Sequence, residues 1–314
     1  MGYGSYSHEA HQAITAKRSA LPTQAVFAQR SVHPLMSPYK AKLRESRHTA
    51  EHPNTTSIIF ALDVSGSMGA IPEHIARTEL PTFMKALLGA GIPDPQVLFM
   101  AIQDCADTVT KAPLQIGCFE STAELIDQWL TWSWITGGGK SEFESYDLAM
   151  YWAAHHTSLD SFKNLGKKGY FFMTGDETCY PSLKAEWITK FLGDEAGADP
   201  AHVHAPRWDG RDLPLADVVA ELKRTYHPFF IAPDPARGAR VERFWSKHFG
   251  VGTITLGAPE DTCAVAAGAI ALNEGAVPSL SALAENLGAS GLTSARVARV
   301  RAALTPFAAS IGKV

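Results

Sequence analysis

Cysteine is scarce in this chain, with four in 314 residues at Cys105, Cys118, Cys179 and Cys263. Their wide, irregular spacing contains no Cys-x-x-Cys pair that would hold zinc or run thiol exchange, so buried free thiols are expected. Long hydrophobic runs are missing as well. No stretch approaches the ~20 apolar residues of a membrane span, and the N-terminal residues carry His, Gln, Arg and Ser in place of a signal-type apolar segment. The expected compartment is therefore the cytoplasm. A basic surplus is also lacking: the formal net charge is −4 and no Lys/Arg run occurs, which argues against nucleic acid or an anionic membrane as partner. No internal repeat is visible.

What is present is a large stock of core-forming side chains, 46% of the sequence being hydrophobic. That supports one principal domain with appendages, since the length lies near the upper limit of a single domain. Residues 1–55 are polar and broken by Pro22, Pro34, Pro38 and Pro53, and read as a partly ordered arm. From Ser57 onward, apolar strand, Gly-containing loop and amphipathic helix alternate, the signature of a mainly parallel α/β sheet covered by helices on both faces. The expected strands are 57–63, 96–103, 114–120, 168–174, 227–232 and 252–256. The expected helices are 73–89, 122–134, 144–157, 183–192, 214–225, 237–248 and 259–274. The connection between 96–103 and 114–120 is too short for a helical crossover, so those strands should pair antiparallel. The expected fold is thus a doubly wound, mainly parallel six-stranded sheet with one antiparallel edge strand. It spans 56–277, includes a polar insertion at 193–213, and is followed by a helical extension at 278–314.

The chemistry concentrates at Asp63-Val64-Ser65-Gly66-Ser67-Met68-Gly69, directly after the apolar run from Ser57 to Leu62. A carboxylate and two hydroxyls would leave the carboxyl end of a buried strand together, where open α/β sheets put their ligand sites. Magnesium and manganese want oxygen donors in near-octahedral geometry, and Asp63, Ser65 and Ser67 offer three within five residues. The competing reading is that these residues only cap the following helix. On this motif the chain resembles the von Willebrand factor A domain, whose metal-ion-dependent adhesion site opens with an Asp-x-Ser-x-Ser loop. The resemblance covers residues 56–275 and implies a Rossmann-like fold, direct metal contacts from the two serines, and further ligands from two later loops.

The second loop runs through Thr136-Gly137-Gly138-Gly139-Lys140-Ser141. It is not a Walker phosphate loop, because Trp134 stands where the pattern needs its first glycine. Counting back from Ala149-Met150, as the family spacing implies, puts Glu144 where relatives usually have threonine. Ser141 is the reserve ligand, and a plain helix-capping role for Glu144 remains open. In the third loop, Thr174-Gly175-Asp176-Glu177 stands where the family usually has Thr-Asp-Gly. The shift by one residue would turn a strand side chain to the other face unless Gly175 permits a bulge. Asp176 is the preferred ligand and Glu177 its competitor. Asp104 and Asp107 are either carboxylates behind the metal shell or turn formers. Trp129, Trp132 and Trp134 read as packing residues, and the histidine pairs His155-His156 and His202-x-His204, with no third partner at metal-ligand spacing, as ordinary surface or core histidines.

The functional expectation is a metal-dependent protein-binding module, a scaffold or adaptor. In it Mg2+ or Mn2+ is held by Asp63, Ser65, Ser67, Glu144 and Asp176, and takes an acidic side chain from a partner. By family analogy alone, the partner class includes AAA+ ATPases. One alternative is a metal-dependent hydrolase, for which the chain lacks a nucleophile elbow. The other is a structural module whose metal site is filled from within an oligomer, with Glu9, Glu45 or Glu51 of the arm as donors.

Overall fold

The unbroken apolar run Ile58 to Leu62, flanked by Thr56, Ser57 and Asp63, suits the interior of a sheet buried on both faces. In the computed structural model, which describes residues 4–41, 43–75, 79–107, 111–135, 137, 142–193 and 208–314, that run with its flanks is β1 (Thr56–Asp63), and all its residues are buried. It joins β2 (Pro95–Ile102), β3 (Leu114–Ile116), β4 (Gly169–Thr174), β5 (Tyr226–Ala232) and β6 (Thr253–Thr255). The sheet order is β6-β5-β4-β1-β2-β3, which makes β1 an interior strand. All neighbours are parallel except β2 and β3, which pair antiparallel at the edge. The hairpin logic of the short connection therefore holds, although β3 ends three residues in and only a single bridge, Val97 to Glu120, continues it.

Alternation along β1 sends Ile58, Phe60 and Leu62 into one apolar cluster and Ile59 and Ala61 into another. The first cluster contains side chains of α2 (Leu80–Gly89), α8 (Thr262–Asn273), α9 (Leu280–Ala289) and α10 (Ser294–Ser310). The second contains those of α4 (Tyr146–His156), α5 (Ala185–Leu192), α6 (Leu215–Thr225) and α7 (Pro235–Phe249). In-register pairing lines up Phe99, Phe60, Phe172 and Phe229 across four strands, with successive centroids 5.9, 5.4 and 5.0 Å apart. Each such pair adds about 0.5–1.5 kcal/mol to the burial of its rings, so this row fixes the strand register on which the loop geometry depends.

The N-terminal segment contains α1 (His8–Ser19), whose buried side chains are His11 and Arg18. Arg18 pairs with Asp127 of α3 (Ala123–Thr131). Further on, Arg44–Ser46 pairs parallel with Thr157–Leu159, and Ser46 bonds Gln96 and Ser57. Of the proposed arm donors, Glu45 is bonded to Arg47 and Glu51 to the Gly4 amide. The four cysteines are free thiols, three of them buried. Trp129 donates to Glu120 and packs edge-on against Trp132. His155 stacks on Tyr151 and bonds Glu221, and His156 stacks on Trp152, so these rings do packing work. His202 and His204, with residues 194–207 of the insertion, lie outside the described residues. Among the described residues no helix is long and apolar enough to cross a membrane.

Candidate metal centre

β1 ends at Asp63, and the chain turns at once through a short 3-10 turn, Gly66–Met68, whose buried Met68 anchors it to the core below. Gly69 follows with φ +55°, a left-handed conformation that favours glycine. The turn brings the three sequence-predicted oxygens together. Asp63 is fully buried; its Oδ1 accepts from the Ser65 amide at 2.8 Å, and its Oδ2 accepts from the Tyr146 hydroxyl at 2.6 Å. Both carboxylate oxygens are thus engaged by protein donors, so Asp63 orients the loop as much as it offers a ligand. Ser65 Oγ and Ser67 Oγ lie 3.0 Å apart. Ser67 Oγ in turn donates to Asp176 Oδ1 at 2.8 Å, which ties the first loop to the third.

The displaced aspartate of loop three therefore does reach the serines. β4 stops at Thr174, so the pleat that would have turned Asp176 away ends before it matters. Gly175 contributes space: a Cβ there would stand 1.9 Å from the Tyr146 hydroxyl oxygen, the same oxygen that holds Asp63. Glu177, the competitor, pairs with Arg240, and its backbone carbonyl accepts from the Trp245 indole at 3.1 Å. Burial raises the Glu177 carboxyl, an effect that Arg240 works against.

Loop two approaches through a two-residue strand, Phe143–Glu144, paired in parallel with Thr178–Cys179 just beyond loop three. This pairing sets Glu144 opposite Cys179, three residues past Asp176, before helix α4 begins. The N-cap of α4 is Ser145, so Glu144 stands outside the helix, and the capping alternative has no hydrogen bond to support it among the described residues. Glu144 is buried, and its Oε2 has no hydrogen-bond partner there. Burial first, then the charges of Asp63, Asp104, Asp176 and Glu177, push its carboxyl up to about 10. Burial likewise lifts Asp63 to about 6, against the hydrogen bonds from Ser65 and Tyr146 that favour its anion. A crowd of buried carboxylates with raised pKa values is the condition that a divalent cation relieves. Asp104 accepts from the Ala106 amide and from the Tyr180 hydroxyl at 2.8 Å, a turn-forming role in a buried position next to this crowd. Ser141, the reserve ligand, lies outside the described residues.

Two participants escape a reading of the sequence. Tyr146 has no local signal, since a tyrosine in the first turn of a helix is ordinary. Arg237 does have one. It is the third residue of α7, which starts with the Asp234 N-cap and Pro235, and a cation in a first turn opposes the helix dipole. Such a residue needs a specific acceptor, and Arg237 has three: the Asp234 carboxylate, Asp176 Oδ2 at 3.2 Å and the Ser67 carbonyl at 2.6 Å.

Among the described residues no three His, Cys, Asp or Glu side chains are grouped as ligands of one ion. The oxygens here are of a different kind, two hydroxyls with carboxylates bonded behind them. No protein-family model and no curated protein matches the chain. Among solved structures, it is similar to the pilus adhesin SpaC from Lactobacillus rhamnosus GG, at 14% identity and a TM-score of 0.44, over 73% of this chain and 32% of that one. It is also similar to proximal thread matrix protein 1 from the mussel byssus, at 12% identity and a TM-score of 0.42, over 72% of this chain and 50% of that one. The chain thus spans half or less of the length of these proteins, and likeness at this level bears on neither family nor function.

Proposed function

We propose that the chain is a metal-dependent protein-binding module of the von Willebrand factor A type, built on a doubly wound sheet and working in the cytoplasm. One observation carries the reading: Ser65 Oγ and Ser67 Oγ stand 3.0 Å apart at the carboxyl end of an interior strand. Ligands at ~2.1 Å on neighbouring corners of an octahedral Mg2+ are about 3 Å apart, so the spacing suits two corners of one ion. Glu144, with its unpartnered buried Oε2, is the third donor. Asp63 and Asp176 stand behind, accepting hydrogen bonds that polarise and orient the serines. The ion supplies a Lewis-acid position for an acidic side chain of a partner, with AAA+ ATPases as the partner class suggested by family analogy.

The test is calorimetric titration with Mg2+ and Mn2+. Binding in the wild type should disappear in the Ser65→Ala, Ser67→Ala double variant, and an unaltered affinity there would sink the assignment. Glu144→Thr should weaken the metal without abolishing it. A second reading has its own support: Arg237 already bonds Asp176 and Ser67, which suits a structural module with an internal cation. A wild type that takes up neither metal would favour that reading.

A further inference from the structure

We propose that a groove at the edge of the sheet docks an acidic segment of a partner protein that carries a large apolar side chain. The inference is independent of the metal reading. The groove, a cavity of about 320 Å3, lies between the N-terminal segment, the residues leading into β3 and the last turn of α5, with Pro38, Tyr39, Lys111, Pro113, Lys190 and Phe191 among its walls. The Lys40 amide donates to the Leu192 carbonyl at 2.8 Å, which ties the N-terminal segment to α5. Leu114, also in the wall, pairs with Ile102, and Ile102 with Asp63. The wall at Leu114 is thus level with Asp63 and two strands away, about 10 Å.

Two observations point to an anionic occupant. The first is that three ammonium groups gather here without counter-ions. Among the described residues, none of Lys40, Lys111 and Lys190 pairs with a carboxylate, Glu186 one helical turn before Lys190 included. All three lysines are exposed. Lys40 Nζ instead rests 5.5 Å from the centroid of the Tyr39 ring, and Lys190 Nζ 4.7 Å from that of Phe191. A cation–π contact at an exposed site is weak and leaves most of each ammonium open to an anion. The second observation concerns the backbone. Three described residues other than glycine have a left-handed φ, and two of them are Lys40 at +58° and Lys111 at +52°. The third, Asp94, accepts from the Asn54 amide, local bonding of the kind that lets Asp take this conformation. Lysine has no such compensation, and glycine would sit there without steric cost. A costly conformation held by two unpaired cations at one groove fits side chains that serve a ligand.

The walls narrow the choice of ligand. Tyr39 is 53% exposed, and with Phe191 and the two prolines it calls for an apolar group beside the charges. Nucleic acid draws its affinity from many phosphate contacts, more than three lysines supply on a chain of net charge −4. A single small carboxylate would engage one ammonium. A short peptide with several Asp or Glu around a Phe or Trp matches the three charges and the rings together.

The experiment titrates the intact chain, in EDTA so that no metal contributes, into a fluorescein-labelled peptide, Glu-Asp-Glu-Phe-Glu-Asp, and reads fluorescence anisotropy. Binding should be saturable and should weaken as salt rises. Gly in place of the peptide's Phe, or Tyr39→Ala in the protein, should weaken it about threefold. An exposed ammonium contributes about threefold, so the Lys40→Gln, Lys111→Gln, Lys190→Gln triple variant should lose about tenfold or more. Lys40→Gly with Lys111→Gly separates recognition from structure: freed of the left-handed strain, it should melt no lower than the wild type while losing peptide affinity. A wild type that does not bind the peptide, a triple variant of wild-type affinity, or a glycine variant that melts lower with unchanged affinity overturns the proposal. Tighter binding of an oligothymidylate than of the peptide also overturns it, in favour of nucleic acid. Peptide binding that appears only after Asp194→Asn with Glu195→Gln overturns it too, by assigning the lysines to the chain's own acids. Metal uptake is decided separately by the calorimetric titration, so the failure of either reading leaves the other standing.

Discussion

Two clusters of buried acids sit on this fold, and they are balanced in opposite ways. Beneath the C-terminal helix α10, Arg296 bonds Glu79 Oε2 at 2.6 Å and Asp261 Oδ1 at 3.1 Å, and Arg299 bonds Asp261 Oδ2 at 2.5 Å and Glu260 at 2.9 Å. Burial works to raise Glu79 there, but hydrogen bonds from His74 and Arg296 overcome it and leave the carboxyl below its usual range. At the strand ends, Asp63 and Glu144 are raised instead, burial dominating in both. The residue types are the same and the burial is comparable. The difference is that the first cluster has its cations built in, whereas the second has hydroxyls and one arginine for a larger set of acids. A matched cluster holds structure together; an acid-rich cluster short of positive charge is where a cation from solution has something to do.

The largest expected effect breaks the matched cluster. Arg296→Ala strips Glu79 and Asp261 of their shared partner and should cost about 3–5 kcal/mol, read as a lower urea midpoint, with Mg2+ affinity in the surviving folded protein unchanged. Equal losses of stability and metal binding would show that the clusters are not separable.

The next effect concerns Asp147, fully buried at the start of α4, with Oδ2 unpartnered among the described residues. Burial lifts its carboxyl to about 7. A folded pKa above the unfolded one means that its contribution is fully present in acid and is lost as the pH rises from about 4 to about 7. Asp147→Asn should therefore stabilise the protein at pH 8 by about 4 kcal/mol and change little near pH 4. A gain independent of pH across thermal melts in that range would contradict the assignment.

Gly175→Ala sharpens the comparison from the other side. Its methyl would displace the Tyr146 hydroxyl that holds Asp63, at about 1–3 kcal/mol for overpacking, and metal affinity should fall with it. Metal binding equal to wild type in calorimetry would detach Tyr146 from the site. The smallest effect on stability belongs to the Ser65→Ala, Ser67→Ala pair. Ser67 is exposed, so thermal unfolding should show a change below about 1 kcal/mol while Mg2+ binding disappears.

The same contrast explains what a reading of the sequence reaches. Strands buried on both faces announce themselves as unbroken apolar runs, and five of the six expected strands agree with the observed ones within a residue or so at each end. The Asp63-Ser65-Ser67 loop is equally legible because its ligands lie close together in sequence. Asp176 was ambiguous only through register, and the ambiguity vanishes because β4 ends at Thr174. The structure then separates Asp176, bonded to Ser67, from Glu177, bonded to Arg240.

What stays hidden is pairing between distant residues. Helix α1 has no apolar stripe to betray it; it buries His11 and Arg18 and is tied down by an ion pair 109 positions away in sequence. Arg296 to Glu79 and Arg237 to Ser67 are longer-range still. Of these, Arg237 and Arg296 each leave a trace in the sequence, as a cation at the third position of its helix, against the dipole.

The most direct test of the central claim is a crystal of the protein soaked in Mn2+, with diffraction recorded for the manganese anomalous signal. The account predicts one strong peak within ligand distance, about 2.2 Å, of Ser65 Oγ and Ser67 Oγ, with a Glu144 oxygen as the third protein ligand. No peak at those hydroxyls, with Arg237 still bonded to Asp176 and Ser67, would contradict it.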